Sequence, residues 1–234
     1  MMKSNKIEID SRWRLLLYIA GFAAIYIIIV IPVQGMFFIL SPPPETVLGF
    51  FEQFQQNIFI GFIHLDLLLT LDYILILFIY FALFIVLNRR EKSLSLIAII
   101  LGCLSIILYV VSREATFSML NLSNAYFNAQ TEVERSAILA AGKTLLTMYN
   151  GSSFDISYVL GGFTMLFFSV TMLKDEAFER RIPITGLIMS IMMLVPPTVG
   201  ELGIWISMIS LIPAMVWMVF ISIWLFRTAK MLAN

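Results

Sequence analysis

Residues 62–88, FIHLDLLLTLDYILILFIYFALFIVLN, decide the class of this chain. The apolar part, Leu67 to Leu87, has 21 residues. At about 1.5 Å per residue that makes a helix of roughly 30 Å, the thickness of the hydrocarbon core of a bilayer. The same stretch carries His64, Asp66 and Asp72 toward one end. Ionisable groups in a membrane span are costly, so by default they mark a functional site.

Composition carries the reading to the whole chain. Of 234 residues, 60% are apolar and 13% charged, where soluble domains run nearer half and a quarter. Lipid must therefore solvate much of the surface. The formal net charge is zero, and no basic cluster suggests nucleic acid. Cys103 is the only cysteine, which excludes an intrachain disulfide. His64 is the only histidine, which excludes His-rich zinc sites and bis-histidine haem within one chain. No cofactor is expected.

Taken in order, the chain reads as six spans. The first, about 15–40, is longer than the roughly 7–15 residues of a signal-peptide core and is read as a retained span. Pro32 predicts a kink near Ile31, with Gln34 beside it as a packed amide. Three prolines at 42–44 end it. Apolar residues at 47, 50, 51, 54 and 58 have helical spacing and predict an amphipathic helix over 47–58. The second span is 62–88 and the third 94–111. A helical piece at 115–129 continues the third span beyond the membrane. Thr131 with Glu134 is a capping-box signature, and Asn150-Gly151 is a helix stop, so a helix is predicted over 132–149. Its apolar stripe is read as Val133, Ala137, Ala140, Ala141, Leu145 and Met148. The remaining spans are about 156–173, 183–200 and 204–226, with Pro183 opening the fifth and Pro196-Pro197 interrupting or ending it. The expected fold is all-α: a single transmembrane domain over 1–234 with six helices and extra-membrane helices at 47–58 and 132–149. Ala20-xxx-Ala24 and Gly186-xxx-Ser190 are small-residue patterns suited to close helix approach.

Charge sets the orientation. Lys and Arg number 12 on one side (N-terminus including Lys3 and Lys6, the turns after spans two and four, C-terminus) and 3 on the other. The positive-inside rule then puts both termini in the cytoplasm of a multi-pass cell-membrane protein. Trp13 and Trp224 fall near the inner interface and Trp205 near the outer one, as an aromatic belt would have them.

That topology gathers His64, Asp66, Asp72, Arg113, Asp155 and Glu201 at the outer third of the bundle. Asp72 lies roughly 9 Å deeper than Asp66, by the helical rise. One reading is an outward-facing acidic pocket for a small polar or cationic ligand. The competing reading is structural: Arg113 pairs with one acid, Asp66 and Asp155 sit at helix N-termini where the dipole favours them, and Glu201 sits in water. Asp72 is too deep for a cap, and the expected partner is Arg113 or a hydroxyl. The many methionines could bind Cu(I), although flexible apolar packing is the commoner use.

From about Leu65 onward, LDLLLTLDYILILFIYFALFIVL, NLSNAYFNAQ, YNGSSFDISYVLGGFTMLFFSVTML, ERRIPITGLIMSIMMLV and VGELGIWISMISLIPAMVWMVFISIWLF resemble the prokaryotic six-span membrane proteins of domain-of-unknown-function family 4386. The resemblance implies the topology and a prokaryotic cell membrane, and it brings no activity. Aspartates at the positions of Asp66 or Asp72 and of Asp155 fit the family's pattern. The prolines at 42–44 and 196–197 depart from it.

Three functions fit these residues. With no catalytic set visible, the first is a non-enzymatic sensor, scaffold or partner subunit whose extra-membrane helices meet a membrane-protein partner or a second copy. The second is binding or transport of a small ligand through the acidic pocket, which would attract a cation. The third is a lipid-modifying enzyme using Asp72 or Asp155, disfavoured by the lack of a phosphate cradle and the scarcity of His and Cys.

Overall fold

The computed structural model describes residues 9–232, and every regular element in them is helical. Lys3 and Lys6, counted above for orientation, lie outside the described residues. After a 3-10 turn at Ser11–Trp13 come α1 (Arg14–Leu40), α2 (Val47–Gln56), α3 (Ile58–His64), α4 (Leu67–Leu87) and α5 (Lys92–Ser112). Then follow α6 (Ala115–Asn128), α7 (Glu132–Tyr149), α8 (Ser152–Leu173), α9 (Arg181–Met192) and α10 (Gly200–Met231).

Among the described residues, five helices are long and apolar enough to cross a membrane, so the chain is a multi-pass membrane protein. The stretch expected as a fifth full-length span is shorter: α9 has 12 residues, about 18 Å. It stops at Met192, before Pro196-Pro197. A proline disfavours helical backbone in the residue before it and cannot donate to the preceding turn. Pro183 is accommodated because the first four N–H groups of a helix need no internal partner.

Six helices close a ring in the order α1, α4, α5, α8, α9, α10, with α10 packed back on α1. Phe22, Ile29, Ile107 and Ile212 are among the apolar side chains left exposed on its outside, as lipid contact requires. At the end bearing the α4–α5 and α8–α9 turns the ring is solid. Leu83, Val86, Leu87, Ile221 and Leu225 are fully buried there. Ala20 and Ala24 are buried against neighbours, and a side chain at Gly21 would collide with the ring of Phe226. Gly186 similarly lies against Ser169 and Trp217. Trp224 lies beside the α8–α9 turn at the basic end and is buried there: it stacks on Phe178 with centroids 4.3 Å apart and donates its indole N–H to Ala177 O at 2.8 Å. Ion pairs Arg89–Asp175, Lys174–Glu91 and Arg227–Glu179 tie the turns at this basic end.

The opposite end carries a cap of α2, α3, α6 and α7 with its own apolar cluster around Phe50, Phe51, Phe54, Leu65 and Met119. The helix expected over 47–58 breaks at Asn57, whose extended backbone ends α2 and whose side chain accepts from Ile60 N–H to start α3. The capping box at Thr131 and Glu134 is formed as expected. The inward face of α7 is not the expected one. Ile138, Leu139, Gly142, Leu145, Leu146 and Tyr149 turn toward the cap, while Val133, Ala137, Ala140, Ala141 and Met148 are exposed. Both sets have helical spacing, and the set with larger apolar side chains is the one that packs, since buried area drives the choice.

Candidate functional site

The site begins at an unusual backbone position. Asp66, between α3 and α4, has φ 59° and ψ 30°. Left-handed backbone costs a residue with a side chain about 1–2 kcal/mol, and aspartate is among the few that tolerate it. The turn does not use the carboxylate as a helix cap. It directs Asp66 to Arg113, just past the end of α5, whose Nε lies 3.1 Å from Asp66 Oδ2. That nitrogen is close enough for an ion pair but is not aligned as a hydrogen bond. Both residues are buried.

Arg113 is held from several sides. One terminal nitrogen donates to Tyr149 O at 2.9 Å and to Ser112 Oγ at 3.0 Å. The guanidinium carbon lies 4.4 Å from the ring centre of Tyr109, 4.0 Å from Tyr149 and 4.7 Å from Phe154. Such contacts are attractive because the aromatic face is electron-rich, and more so when desolvated. The Thr116 hydroxyl donates to Leu65 O at 2.6 Å and fixes the backbone next to Asp66.

This cluster separates two cavities. On the cap side is a vestibule of about 840 Å³, bordered by Pro43, Glu45, His64, Tyr149, Asn150, Pro197 and Thr198. On the bundle side is a chamber of about 390 Å³ on the ring's axis. Phe38, Asp66, Arg113 and Phe154 line both. All six ring helices contribute to the chamber: Gln34 from α1, Asp72, Tyr73 and Tyr80 from α4, Ser105 and Tyr109 from α5, Tyr158 and Met165 from α8, Met189 from α9, and Ser210 and Met218 from α10. Tyr73 and Tyr109 stack face to face, centroids 3.5 Å apart.

Asp72 faces this chamber and is 5% exposed. Neither carboxylate oxygen meets a hydrogen-bond partner among the described residues, and no basic side chain pairs with it. The partner expected from the sequence, Arg113 or a hydroxyl, is not within hydrogen-bond reach of it. Arg113 belongs to Asp66, and the hydroxyls of Ser105 and Ser210 donate to Ser157 O and Ser207 O at 2.7 and 2.6 Å. An unpaired carboxylate away from water costs several kcal/mol.

The other candidates take separate places. His64 is buried at the vestibule floor, its Nε2 2.9 Å from Ser41 O, with Phe37 and Phe38 against its ring. Burial pushes its pKa below the ordinary 6.5, and the bond to Ser41 pulls partly back. Asp155, in the first turn of α8, accepts from the Thr198 hydroxyl and ties α8 to the segment before α10. Glu201 is exposed in the first turn of α10. Neither lines the vestibule or the chamber. Asp66, Asp72, Arg113 and His64 are thus brought to one axis, and the other two acids are not. The tyrosines at 73, 80, 109, 149 and 158 escaped the sequence reading. Their cue was the recurrence of tyrosine at the same end of three spans.

Gln34 is packed, as expected, and donates to Ile63 O at 2.9 Å, but its Oε1 is buried without a partner, so the amide is only half satisfied. No cluster of three or more His, Cys, Asp or Glu capable of holding a metal occurs among the described residues.

One family model matches residues 14–228, that of the Domain of unknown function (DUF4386). The chain belongs to this family. The match covers the whole ring and the cap, so cavities and bundle fall within the family domain. No curated protein and no solved structure gives a match.

Proposed function

We propose that this DUF4386 protein binds a small polar or cationic ligand inside its helical ring, as a non-enzymatic sensor or carrier. The observation that supports this is Asp72, a buried carboxylate without a partner that faces a chamber of about 390 Å³. A purely structural aspartate would be paired, because leaving it unpaired is a standing cost. The chamber volume is within the range of small-molecule sites, about 300–1,000 Å³. The Asp66–Arg113 cluster acts as a latch between vestibule and chamber.

The proposed arrangement in the membrane has six spans, with α9 and the segment to Pro197 as the fifth. Both termini lie in the cytoplasm of a prokaryotic cell, and the cap faces outward. The basic turns at the uncapped end support this orientation. In a Cys103→Ser background, cysteine at Ser153 should react with an impermeant thiol reagent from outside and cysteine at Ser93 from inside. The reverse pattern overturns the arrangement.

Access to the chamber tests the function. Cysteine placed at Ser210, which lines the chamber, should react with a small cationic methanethiosulfonate. Protein that stays unmodified while remaining folded would sink the proposal.

A second reading has one observation in its favour. The exposed stripe of Val133, Ala137, Ala140, Ala141 and Met148 on α7 would suit a partner subunit or a second copy. Val133→Glu should then dissociate the assembly in crosslinking, and an unchanged monomer population would remove this reading.

A further inference from the structure

The chamber's chemistry narrows the ligand beyond small and cationic. Two acids line it, Asp66 and Asp72; Asp66 is paired with Arg113, so Asp72 is the one without a counter-charge. One free carboxylate balances one monovalent ammonium, whereas Ca²⁺ carries two charges and takes six to eight oxygens. Much of the rest of the wall is aromatic or thioether: Tyr73, Tyr80 and Tyr158 among the aromatics, Met165 and Met218 among the methionines. Aromatic faces attract organic ammonium groups, and methionine adapts to irregular apolar shapes.

A second observation concerns the route. Gly35 on α1 and Leu211 on α10 line the chamber, and both are exposed. At the basic end these two helices are in contact where Gly21 meets Phe226. They run antiparallel, so Gly35, 14 residues on from Gly21, falls level with Ile212, 14 residues before Phe226. Pro32 and Pro213 then lie at nearly the same depth, each removing a backbone donor from its own helix. Around Gly35 an added Cβ would meet nothing within 4 Å. The wall between α1 and α10 is therefore open beside Gly35 at chamber level, and it faces lipid.

We infer that the chamber takes a lipophilic organic ammonium, drawn from the bilayer through the seam between α1 and α10, its nitrogen meeting Asp72 and its apolar body the aromatic wall. This rests on the proposed ligand-binding role.

The test uses the full chain in phosphatidylcholine nanodiscs, with protein-free nanodiscs as the partitioning blank. The probes are 2-phenylethylammonium, 2-phenylethanol and 3-phenylpropionate. The amine should bind at least about ten-fold more tightly than the alcohol, and Asp72→Asn should abolish that preference without lowering the amount of folded protein. Gly35→Trp, at an open position, should slow amine association several-fold. Equal affinity for amine and alcohol overturns the ammonium assignment, as does Asp72-dependent competition by Na⁺ or Ca²⁺. An unchanged association rate in Gly35→Trp overturns the seam route. If none of the probes binds, the ammonium assignment fails, and labelling at Ser210 separates the two proposals. A reactive cysteine there leaves ligand binding standing, and an unreactive one removes both.

Discussion

The two ends of the ring are made by the same six helices and differ in what occupies the axis. At the basic end Leu83, Val86, Leu87, Ile221 and Leu225 meet with no exposure, and glycines at 21 and 186 bring the helices into contact. At the capped end the axis is hollow, and the buried residues include Asp66, Asp72 and Arg113. Both ends are shielded from water, so burial alone does not separate structure from function. What separates them is charge. The buried polar atoms without a partner toward the basic end are neutral, the hydroxyls of Ser95, Ser169 and Thr228 and the indole N–H of Trp217, whereas the capped end keeps a carboxylate that has none.

The largest test of this contrast is Arg113→Ala. Breaking a buried ion pair strands the other charge and costs about 3–5 kcal/mol. Denaturant or thermal unfolding in detergent should show a loss of that size, because Asp66 would be left alone. A loss below about 1 kcal/mol would mean the cluster is solvated and no latch exists.

Next comes a paired comparison along α4. Leu83→Ala, in the solid half, should cost about 2–5 kcal/mol, as cavity-forming core substitutions do. Ile76→Ala borders existing space and should cost clearly less. Equal losses would erase the distinction between the two halves. In the cap, Thr131→Ala removes the capping-box hydroxyl and should cost about 1 kcal/mol, read from the same unfolding curves.

Asp72→Asn should change stability in the opposite direction. Removing an unpaired buried charge relieves its desolvation cost, so the unfolding temperature should stay level or rise. A marked fall would show that Asp72 has a structural partner.

The smallest effect is on pH. His64 has its pKa lowered by burial, so the unfolded chain binds a proton more readily than the folded one. Stability from neutral His64 is complete above about 6.5 and is lost as pH falls below it toward the folded value. Unfolding temperatures compared at about pH 7.5 and about pH 5 should fall with acid, and less in His64→Gln. An identical fall in that variant would assign the effect to other groups.

Much of the fold was legible because its signals are local. The run Leu67–Leu87, the capping box at Thr131 and the stop at Asn150-Gly151 each depend on neighbours in sequence. Legibility ended where two faces competed or where the partner was remote. The stripe of α7 was read on its alanines, while the fold buries Ile138, Leu139 and Leu146. The fifth span was overextended because the brake at Pro196-Pro197 was read as an end and not as a limit on the helix before it. For the site, the acids of α4 and Arg113 were visible as charges out of place, but the tyrosine wall was not, since an aromatic residue in a span is unremarkable until its neighbours are known.

The sequence by itself determined that this chain crosses a bilayer several times and that its costly charges gather at one end. Hydropathy and charge act residue by residue, so they survive without a fold. Only the tertiary structure decided that Asp66 takes Arg113 and leaves Asp72 facing a chamber. Helices that are apolar nearly all round do not announce which side turns inward. That choice is made by the packing of six helices together, and it is what converts an expensive aspartate into a site.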